Sequence, residues 1–375
     1  MIFSWYDDAC DFLAVGVSAF CCLAYTSGSM SKIHFFRLLF SLILVAILSG
    51  CASVGYYSQS VIGHSKLMLA RQSVDKLIEK SDQPLRAQLE LSQQLRIYAS
   101  RELGLPDSKS YGTYVALKRE YPVWNVIAAP EFSLDAKQWC YPVIGCASYR
   151  GYFRQTAAQR YANTLEQKGF EVLVGGASAY STLGWFSDPL LPSMMRYGDA
   201  DLAETLFHEL AHQKLYINGD SDFNEAFATV VGEVGAMRWL SEVRPQEVDA
   251  YRQRLQAREQ FYSLIENAKL ELSKVYASSL PNSAKQTAKQ AAFAQLKVNY
   301  DQLKREKWKG KPLFDGWFKT KLNNARLAAF STYRHQVPLF LSLLEQCDDD
   351  LNKFYDAFNN PIKHDGKVQI PSACD

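Results

Sequence analysis

The 375-residue chain is long enough to bury one large hydrophobic core or two modest ones. Charged residues make up 21% of it, hydrophobic residues make up 48%, and the formal net charge is +2, a balance that is typical of a globular protein. This composition argues against a nucleic-acid-binding protein and against an acidic disordered chain, so we expect no nucleic-acid partner.

The residues from Met30 to Cys51, MSKIHFFRLLFSLILVAILSGC, are typical of a secretory signal sequence. A short basic stretch precedes an apolar run from Leu38 to Leu48, which is too short to span a bilayer. We therefore expect residues 1–50 to be a signal region whose true start is Met30. An uncleaved membrane anchor and a genuine N-terminal extension are the alternatives.

The signal region ends in LSGC, which resembles a bacterial lipobox. In a lipobox, lipid is attached to the cysteine sulfur, so Cys51 would become the first mature residue and would anchor the chain in a membrane. The next residue is Ala52, whereas retention at the inner membrane would need an aspartate. The resemblance implies an outer-membrane lipoprotein that faces the periplasm.

Four cysteines follow the lipidation site, and in an oxidising periplasm they predict two disulfides. Three connectivities are possible. We favour the local pairs Cys140–Cys146 and Cys347–Cys374, the second of which would staple a C-terminal tail at residues 341–375. Metal ligation by these thiols is the alternative, although no C-x-x-C spacing occurs.

Apolar residues between Ser60 and Leu103 recur at three- and four-residue spacing, with a break near SDQP, and this predicts a helical hairpin within residues 51–110. Between Tyr111 and Val174, short β-rich pieces surround one helix, which predicts a small mixed or antiparallel sheet.

The pattern predicts that helices resume at Asp201 and continue, apart from turns, to Glu306. We expect an α+β fold in which residues 111–340 form the catalytic domain. Long helices at about 244–308 would form an arm of that domain.

The segment LFHELAHQ contains the pattern H-E-x-x-H. On a helix, His208 and His212 project from one face about one turn apart, so both imidazoles can reach one ion. Glu209 is then placed to take a proton from water at the metal without binding the metal itself. The alternative is a buried helix with a satisfied histidine pair, because the five-residue pattern also arises by chance.

The surrounding sequence supports a metal site. The helix has a possible N-cap at Asp199 or Asp201, and after a turn at NGD a second helix begins with FNEAFATVVGE. That turn could bring Glu225 to the open side of the two histidines. Three protein ligands and one open position are typical of a catalytic zinc site, so we expect one zinc ion held by His208, His212 and Glu225.

Two other residues of the second helix are candidates for support of this site. Glu233 could contact the second nitrogen of a ligand histidine or the ion itself, or it could be paired at the helix surface. Asn224 could orient the carboxylate of Glu225 or cap the helix, and we favour the cap.

The combination of HELAH with NEAFAT resembles the gluzincin metallopeptidases, in which the glutamate of an NE pair is the third zinc ligand. From Cys51 to Phe340 the chain also resembles a family of bacterial lipoproteins described as predicted aminopeptidases, through AAPEFS, YRGYF, YSTLGWFSDP and NNARLAAFSTY. The resemblance implies a gluzincin-like core and a peptide substrate.

Further candidates concern substrate binding. An oxyanion needs stabilisation besides that of the metal, and Tyr333 is our first choice for it, with Asn324 and Arg326 as the other candidates. Glu131 is the candidate for holding a free ammonium group. Gluzincins bind the substrate main chain along an edge strand, and the resemblance implies this role for residues 179–183, which include Tyr180, Ser181 and Thr182.

We therefore expect a lipid-anchored zinc aminopeptidase that hydrolyses N-terminal peptide bonds through zinc-activated water, with Glu209 as the general base. An envelope endopeptidase or quality-control protease is an alternative and would cleave blocked peptides. A non-catalytic envelope lipoprotein is the third possibility, but a purely structural site has no use for Glu209.

Overall fold

The structure is a computed structural model that describes residues 55–141, 145–331, 336–364 and 367–374. It divides into two compact units, residues 1–65 and 66–375. The described part of the first unit, residues 55–65, is helical. The predicted signal region with its start at Met30, the lipidation site Cys51 and the oxyanion candidate Tyr333 lie outside the described residues.

We find no helix among the described residues whose length and apolar character would let it span a bilayer. In the second unit the fold is α+β, as predicted, with long helices and small antiparallel sheets.

The first part of the second unit differs from the predicted helical hairpin. Helix is lost after residue 69, and strand β1, Gln72–Ser73, pairs antiparallel with β2, Thr113–Tyr114. Helices α1, Val74–Ile78, and α2, Gln83–Arg101, follow β1. Pro84 stands in the first turn of α2, so the predicted break near SDQP is observed. The hairpin is interrupted because residues 72–73 bond to a strand distant in sequence.

The main sheet has three antiparallel strands. Its central strand β3, Val123–Pro130, pairs along its whole length with β7, Phe170–Ala177, and at one end with β6, Arg150–Tyr152. Helix α3, Gln155–Gln167, packs on this sheet with three buried residues, Ala158, Ala162 and Leu165.

A second hairpin consists of β4, Trp139–Tyr141, and β5, Gly145–Ala147. The disulfide Cys140–Cys146 joins these two strands, and it is one of the two pairs that the sequence favoured. Of the mixed and antiparallel alternatives for the β layer, the antiparallel arrangement is observed in these strand pairs.

Two packed helices form the centre of the main core, α4, Asp199–Lys214, and α5, Ser221–Val243. The residue before α4 is Gly198 with φ 108°, so the predicted cap at Asp199 or Asp201 is wrong. Both aspartates lie in the first turn of α4, where they form ion pairs with Arg244 and Arg254. Negative charge at this end of a helix is favourable through the helix dipole.

The predicted arm corresponds to helices α6, Val248–Ala277, and α7, Asn282–Glu306. These helices share a second hydrophobic cluster that is rich in aromatic residues and includes Phe261 and Tyr300. Helix α8, Asn324–Ser331, contacts both α6 and strand β3, so it joins the arm to the sheet.

The C-terminal segment is part of the main core. It contains helices α9, Val337–Gln346, and α10, Leu351–Asp356, and the short strands β8, Lys363–His364, and β9, Lys367–Val368. Aromatic residues of this segment pack against α5, and the disulfide Cys347–Cys374 closes it, which is the second favoured pair. Residues 341–375 are thus better integrated than the tail that we expected.

Candidate metal centre

Three potential ligands converge where α4 and α5 face each other. His208 and His212 come from α4, and Glu225 comes from the second turn of α5. The Nε2 atoms of the two histidines lie 3.2 Å apart. The Nε2 atom of His208 is 3.4 Å from one carboxylate oxygen of Glu225, and that of His212 is 3.9 Å from the other.

These distances are a test of whether one ion would fit. Zinc bonds of about 2.0–2.2 Å in tetrahedral geometry place neighbouring donor atoms about 3.3–3.6 Å apart. The three observed separations, 3.2, 3.4 and 3.9 Å, bracket that value. Among the described residues, one group of His, Cys, Asp and Glu side chains has ligand atoms close enough together to hold a metal ion. It consists of His208, His212 and Glu225. They could therefore hold a single metal ion.

The close approach of the two helices is made possible by a glycine of α5. A Cβ atom at Gly232 would lie 2.8 Å from the carbonyl oxygen of Glu204 and 3.1 Å from the Cβ of His208. Any larger residue would push α4 away at the position of the first ligand. The separation of the ligands therefore depends on this backbone contact.

The loop between the helices is fixed by two buried polar residues. Asp220 is the N-cap of α5, since its carboxylate accepts a hydrogen bond from the backbone N–H of Phe223. The predicted capping role of Asn224 is therefore wrong. Its side chain instead bonds to the backbone of Ile217.

Burial and the contacts between the ligands together set the protonation of His212 and Glu225. Burial, and then the neighbouring His208, lower the pKa of His212 to about 4, which favours the neutral imidazole that binds metals. Burial by itself would raise the pKa of Glu225, but the hydrogen bond from His208 and the electrostatic influence of the neighbouring imidazoles lower it further than burial raises it. The carboxylate form of Glu225 is thereby favoured.

Glu209 lies beside the ligands, partly buried in the same cleft. Loss of solvation raises the pKa of its carboxyl group to about 7, with smaller opposing effects from His208 and the Ser181 hydroxyl, and a further rise from Glu225 and Asp188. Glu209, the candidate general base, is not one of the three potential ligands but lies in the cleft beside them.

The cleft beside these residues has a volume of about 720 Å³. One wall is the end of β7 and the chain that follows it, including the predicted substrate-binding residues Tyr180, Ser181 and Thr182. Strand β7 is at the edge of the described sheet. It pairs with β3 on one side and with no other described strand on the other side. Cys146 of β5 and Tyr149, which follows that strand, also line the cleft.

Two predicted substrate-binding residues lie elsewhere among the described residues. The side chain of Glu131 is exposed, and the backbone carbonyl oxygen of Glu131 accepts hydrogen bonds from Lys289 and Asn324. The guanidinium of Arg326 donates to the carbonyl of Trp317 and to the Thr320 hydroxyl. Neither Glu131 nor Arg326 lines the cleft. Glu131 instead connects the end of β3 to α7 and α8, and Arg326 connects α8 to residues 317–320.

Glu233 is buried rather than at the helix surface, and it faces Arg258 of α6 with an N–O distance of 3.7 Å. The same guanidinium forms two hydrogen bonds, of 2.6 and 3.0 Å, with the carboxylate of Glu204. Sequence reasoning missed this network, although Glu204 lies one helical turn before His208.

Asp188 is a second residue that sequence reasoning missed. It is fully buried, and its carboxylate accepts hydrogen bonds from the backbone N–H and the hydroxyl of Thr182. An Asp-Pro pair such as the one in GWFSDP is typical of a turn, but it does not indicate a buried carboxylate that supports the cleft wall.

A comparison with known families places this geometry in context. The family model described as "Putative aminopeptidase" matches residues 55–367, which is well over half of the chain. The chain belongs to this family. Searches of the curated proteins and of the solved structures gave no match.

In this member of the "Putative aminopeptidase" family, the matched range contains the three converging donors, Glu209 and the whole described cleft. Family membership supports a peptidase, and hence a hydrolase, at that coarse level.

Proposed function

We propose that this protein is a zinc-dependent peptidase of the gluzincin type, with His208, His212 and Glu225 as the zinc ligands and Glu209 as the general base. The observation that carries the proposal is the convergence of three donors at 3.2–3.9 Å beside a fourth, non-converging carboxylate in an open cleft. A site with three protein ligands keeps a position for reaction chemistry.

A zinc ion held there would supply Lewis-acid activation of water and of the peptide carbonyl. Glu209 accepts the proton that the attacking water loses and then delivers it to the nitrogen of the departing amine. Such transfer requires the carboxyl group to lie within hydrogen-bond reach of both atoms, which its place beside the ligands permits.

Residues 179–183, to which the resemblance assigned the binding of the substrate main chain, lie after β7 rather than in a strand, and the N–H of Thr182 already bonds to Asp188. The substrate main chain would instead lie along the end of β7, at Gly176 and Ala177, as an added strand. An edge strand leaves backbone donors and acceptors available, and an extended peptide can pair with them. This segment lines the cleft together with the metal centre, so a peptide bound to it passes the ligands.

Aminopeptidase activity on N-terminal residues is the leading form of the proposal, supported by the family to which the chain belongs. An endopeptidase of the cell envelope is the second candidate. It is favoured by one observation: the carboxylates among the described lining residues are Glu209 and Glu225, so the described wall offers no further acid to hold a free ammonium group.

We also propose that the chain is a lipoprotein, anchored through Cys51 in the outer membrane and facing the periplasm. The LSGC sequence at the end of the signal region supports this. Incorporation of labelled palmitate into the wild type and its loss in Cys51→Ser would test the anchor, and fractionation of the two membranes would test its location.

The enzymatic proposal is tested on the purified full-length protein. Bound zinc is measured, and hydrolysis of matched free and acetyl-blocked peptides is compared for the wild type, Glu209→Gln and the control Glu166→Gln, an exposed acid on α3. We expect Glu209→Gln to keep zinc and lose activity, whereas Glu166→Gln keeps both. Full activity of Glu209→Gln would refute the mechanism, and cleavage of blocked peptides alone would refute an aminopeptidase.

A further inference from the structure

Two aromatic side chains are exposed at the cleft that contains the metal centre. Trp185 is 74% exposed and Phe186 is 53% exposed, and both line the cleft with His208 and Glu209. Adjacent exposed aromatic residues leave a sizeable apolar surface in water, and such surfaces in soluble proteins mark binding sites. Their place beside the metal centre indicates that what they bind also reaches that centre.

The turn that carries these residues is held firmly in place. The carboxylate of Asp188 accepts hydrogen bonds from the Thr182 backbone N–H at 2.8 Å and from the Thr182 hydroxyl at 2.7 Å. The carbonyl of Asp188 in turn accepts a hydrogen bond from the backbone N–H of the buried Tyr111 at 2.6 Å. The two ends of the turn are therefore joined to each other and to the core.

Hydrogen bonds inside the turn fix its tip. The backbone N–H of Trp185 donates to the carbonyl of Thr182 at 3.0 Å, and that of Phe186 donates to the Thr182 hydroxyl at 3.1 Å. Leu183 and Gly184 have φ angles of 55° and 83°. A left-handed leucine is uncommon and occurs where the surrounding structure enforces it. The backbone hydrogen bonds of the turn thus hold Trp185 and Phe186 at its tip.

The rest of the described wall adds aromatic surface rather than charge. Tyr149, Tyr180 and Tyr216 also line the cleft, and no lysine or arginine is among its described lining residues. Outside the metal centre, the described wall would therefore leave a charged substrate side chain without an ion-pair partner. A bulky apolar or aromatic side chain would instead bury its surface against the rings.

We propose that Trp185 and Phe186 form the subsite for a bulky apolar side chain of the peptide substrate, next to the bond that is cleaved. This inference rests on the proposed peptidase function, because the occupant is a peptide at the metal centre. The preformed turn lowers the cost of ordering this subsite when the peptide binds.

The test measures binding separately from hydrolysis. Two labelled peptides carry either a Phe-Phe or an Ala-Ala pair in an otherwise identical Gly/Ser sequence, each in free and acetylated forms. Fluorescence anisotropy gives their affinities for zinc-loaded, full-length Glu209→Gln. The same measurement is made on three further variants of the Glu209→Gln protein. The first carries Trp185→Ala with Phe186→Ala, and the second carries Trp185→Phe alone. The third is the control Tyr197→Ala, which changes an exposed aromatic residue outside the described cleft lining.

We expect the Phe-Phe peptide to bind at least about tenfold more tightly than the Ala-Ala peptide. The double alanine variant should abolish this ratio, whereas Trp185→Phe and Tyr197→Ala should retain most of it. Equal binding of the two peptides, or a ratio that survives the double substitution, would overturn the subsite.

Wild-type hydrolysis of the same peptides separates the two proposals. A binding preference without any cleavage would refute the peptidase and, with it, a subsite next to a cleaved bond, and would leave only a peptide-binding surface. Cleavage of both peptides with equal kcat/KM and equal affinity would refute the subsite and leave the peptidase intact.

Discussion

The side chain of Asn224 pairs with the backbone of Ile217 through two hydrogen bonds. The N–H of Ile217 donates to Oδ1 at 2.7 Å, and Nδ2 donates to the carbonyl oxygen of Ile217 at 2.8 Å. Both residues are buried, and Glu225 directly follows Asn224 in the chain. One amide thus ties the loop after α4 to the turn of α5 that carries the third ligand.

Replacing Asn224 should therefore weaken both the fold and the metal centre. Asn224→Ala leaves a buried N–H and a buried carbonyl unpaired, which we expect to lower the free energy of unfolding by about 2–3 kcal/mol. Asn224→Asp should also destabilise the fold, because one carboxylate oxygen would face the carbonyl oxygen of Ile217. Urea unfolding and zinc titration measure the two effects. The control is Asn299→Ala, an exposed position on α7, and an Asn224→Ala variant indistinguishable from it would contradict this account.

Gly232 sets the distance between the ligand-bearing helices, so Gly232→Ala should reduce zinc affinity. The added methyl group would meet the backbone of Glu204 and the Cβ of His208 and would displace the first ligand. We expect an affinity loss of about tenfold or more, in line with perturbations around a metal site. Equilibrium zinc titration against a competing chelator measures it.

Gly235 on the same helix is the matched control. A Cβ there would lie 2.7 Å from Leu103 and 2.9 Å from Phe207, which is equally tight but involves no ligand. Gly235→Ala should lower stability, since overpacking costs about 1–3 kcal/mol, while zinc affinity stays near that of the wild type. Equal affinity losses in the two variants would show that general overpacking is responsible.

The ion pair between Glu204 and Arg258 should make stability depend on pH. Burial by itself would raise the pKa of Glu204, but the hydrogen bond and charge of Arg258 hold it below its usual value. A carboxyl group with a lowered pKa contributes stability above its unfolded pKa of about 4.3, and that contribution is lost as the pH falls through the folded pKa.

Arg258→Met leaves Glu204 without its partner, so we expect a loss of about 3 kcal/mol at pH 7. The difference in the free energy of unfolding between the wild type and Arg258→Met should narrow toward pH 5, because Glu204 of the variant can then be protonated. Urea unfolding at both pH values tests this, with Arg252→Met as the control, since Arg252 forms an exposed pair with Asp249 on the same helix. A difference that is constant between the two pH values would mean that lost packing, rather than charge, explains the effect.

The disulfide Cys347–Cys374 should stabilise the main core. It closes a loop with a sequence separation of 27, for which chain entropy gives about 3–4 kcal/mol. Double substitution of the pair by serine should lower the free energy of unfolding by that amount. The Cys140–Cys146 pair has a separation of 6 and should contribute less, about 2 kcal/mol. The reverse order of the two losses would contradict the loop-closure explanation.

Features with local signals could be predicted from the sequence. The histidine pair follows from the four-residue spacing of one helix, and Glu225 follows from a short turn between two helices, so a few residues determine both. The pairing of Cys140 with Cys146 is likewise encoded over a short separation.

Features that depend on distant contacts could not be predicted. Strand β1 forms because residues 113–114 lie beside it, and Glu204 is bound by a residue 54 positions later in the chain. The role of Asn324 is similar, because its side chain bonds to carbonyls nearly 200 positions earlier, at Pro130 and Glu131. Sequence patterns could suggest Arg326 and Glu131 as binding residues but could not show that the arm uses both regions for packing.

The β4–β5 hairpin gives the cleft a dependence on its chemical surroundings. Cys146 lines the cleft and is bonded to Cys140, and Gly145 packs against the loop between the ligand helices at Asn218 and Gly219. A disulfide persists only where thiols are kept oxidised. In a reducing compartment the chain would keep all three potential ligands but would lack this disulfide beside the cleft. A cleft with its disulfide formed therefore requires an oxidising compartment as well as correct folding.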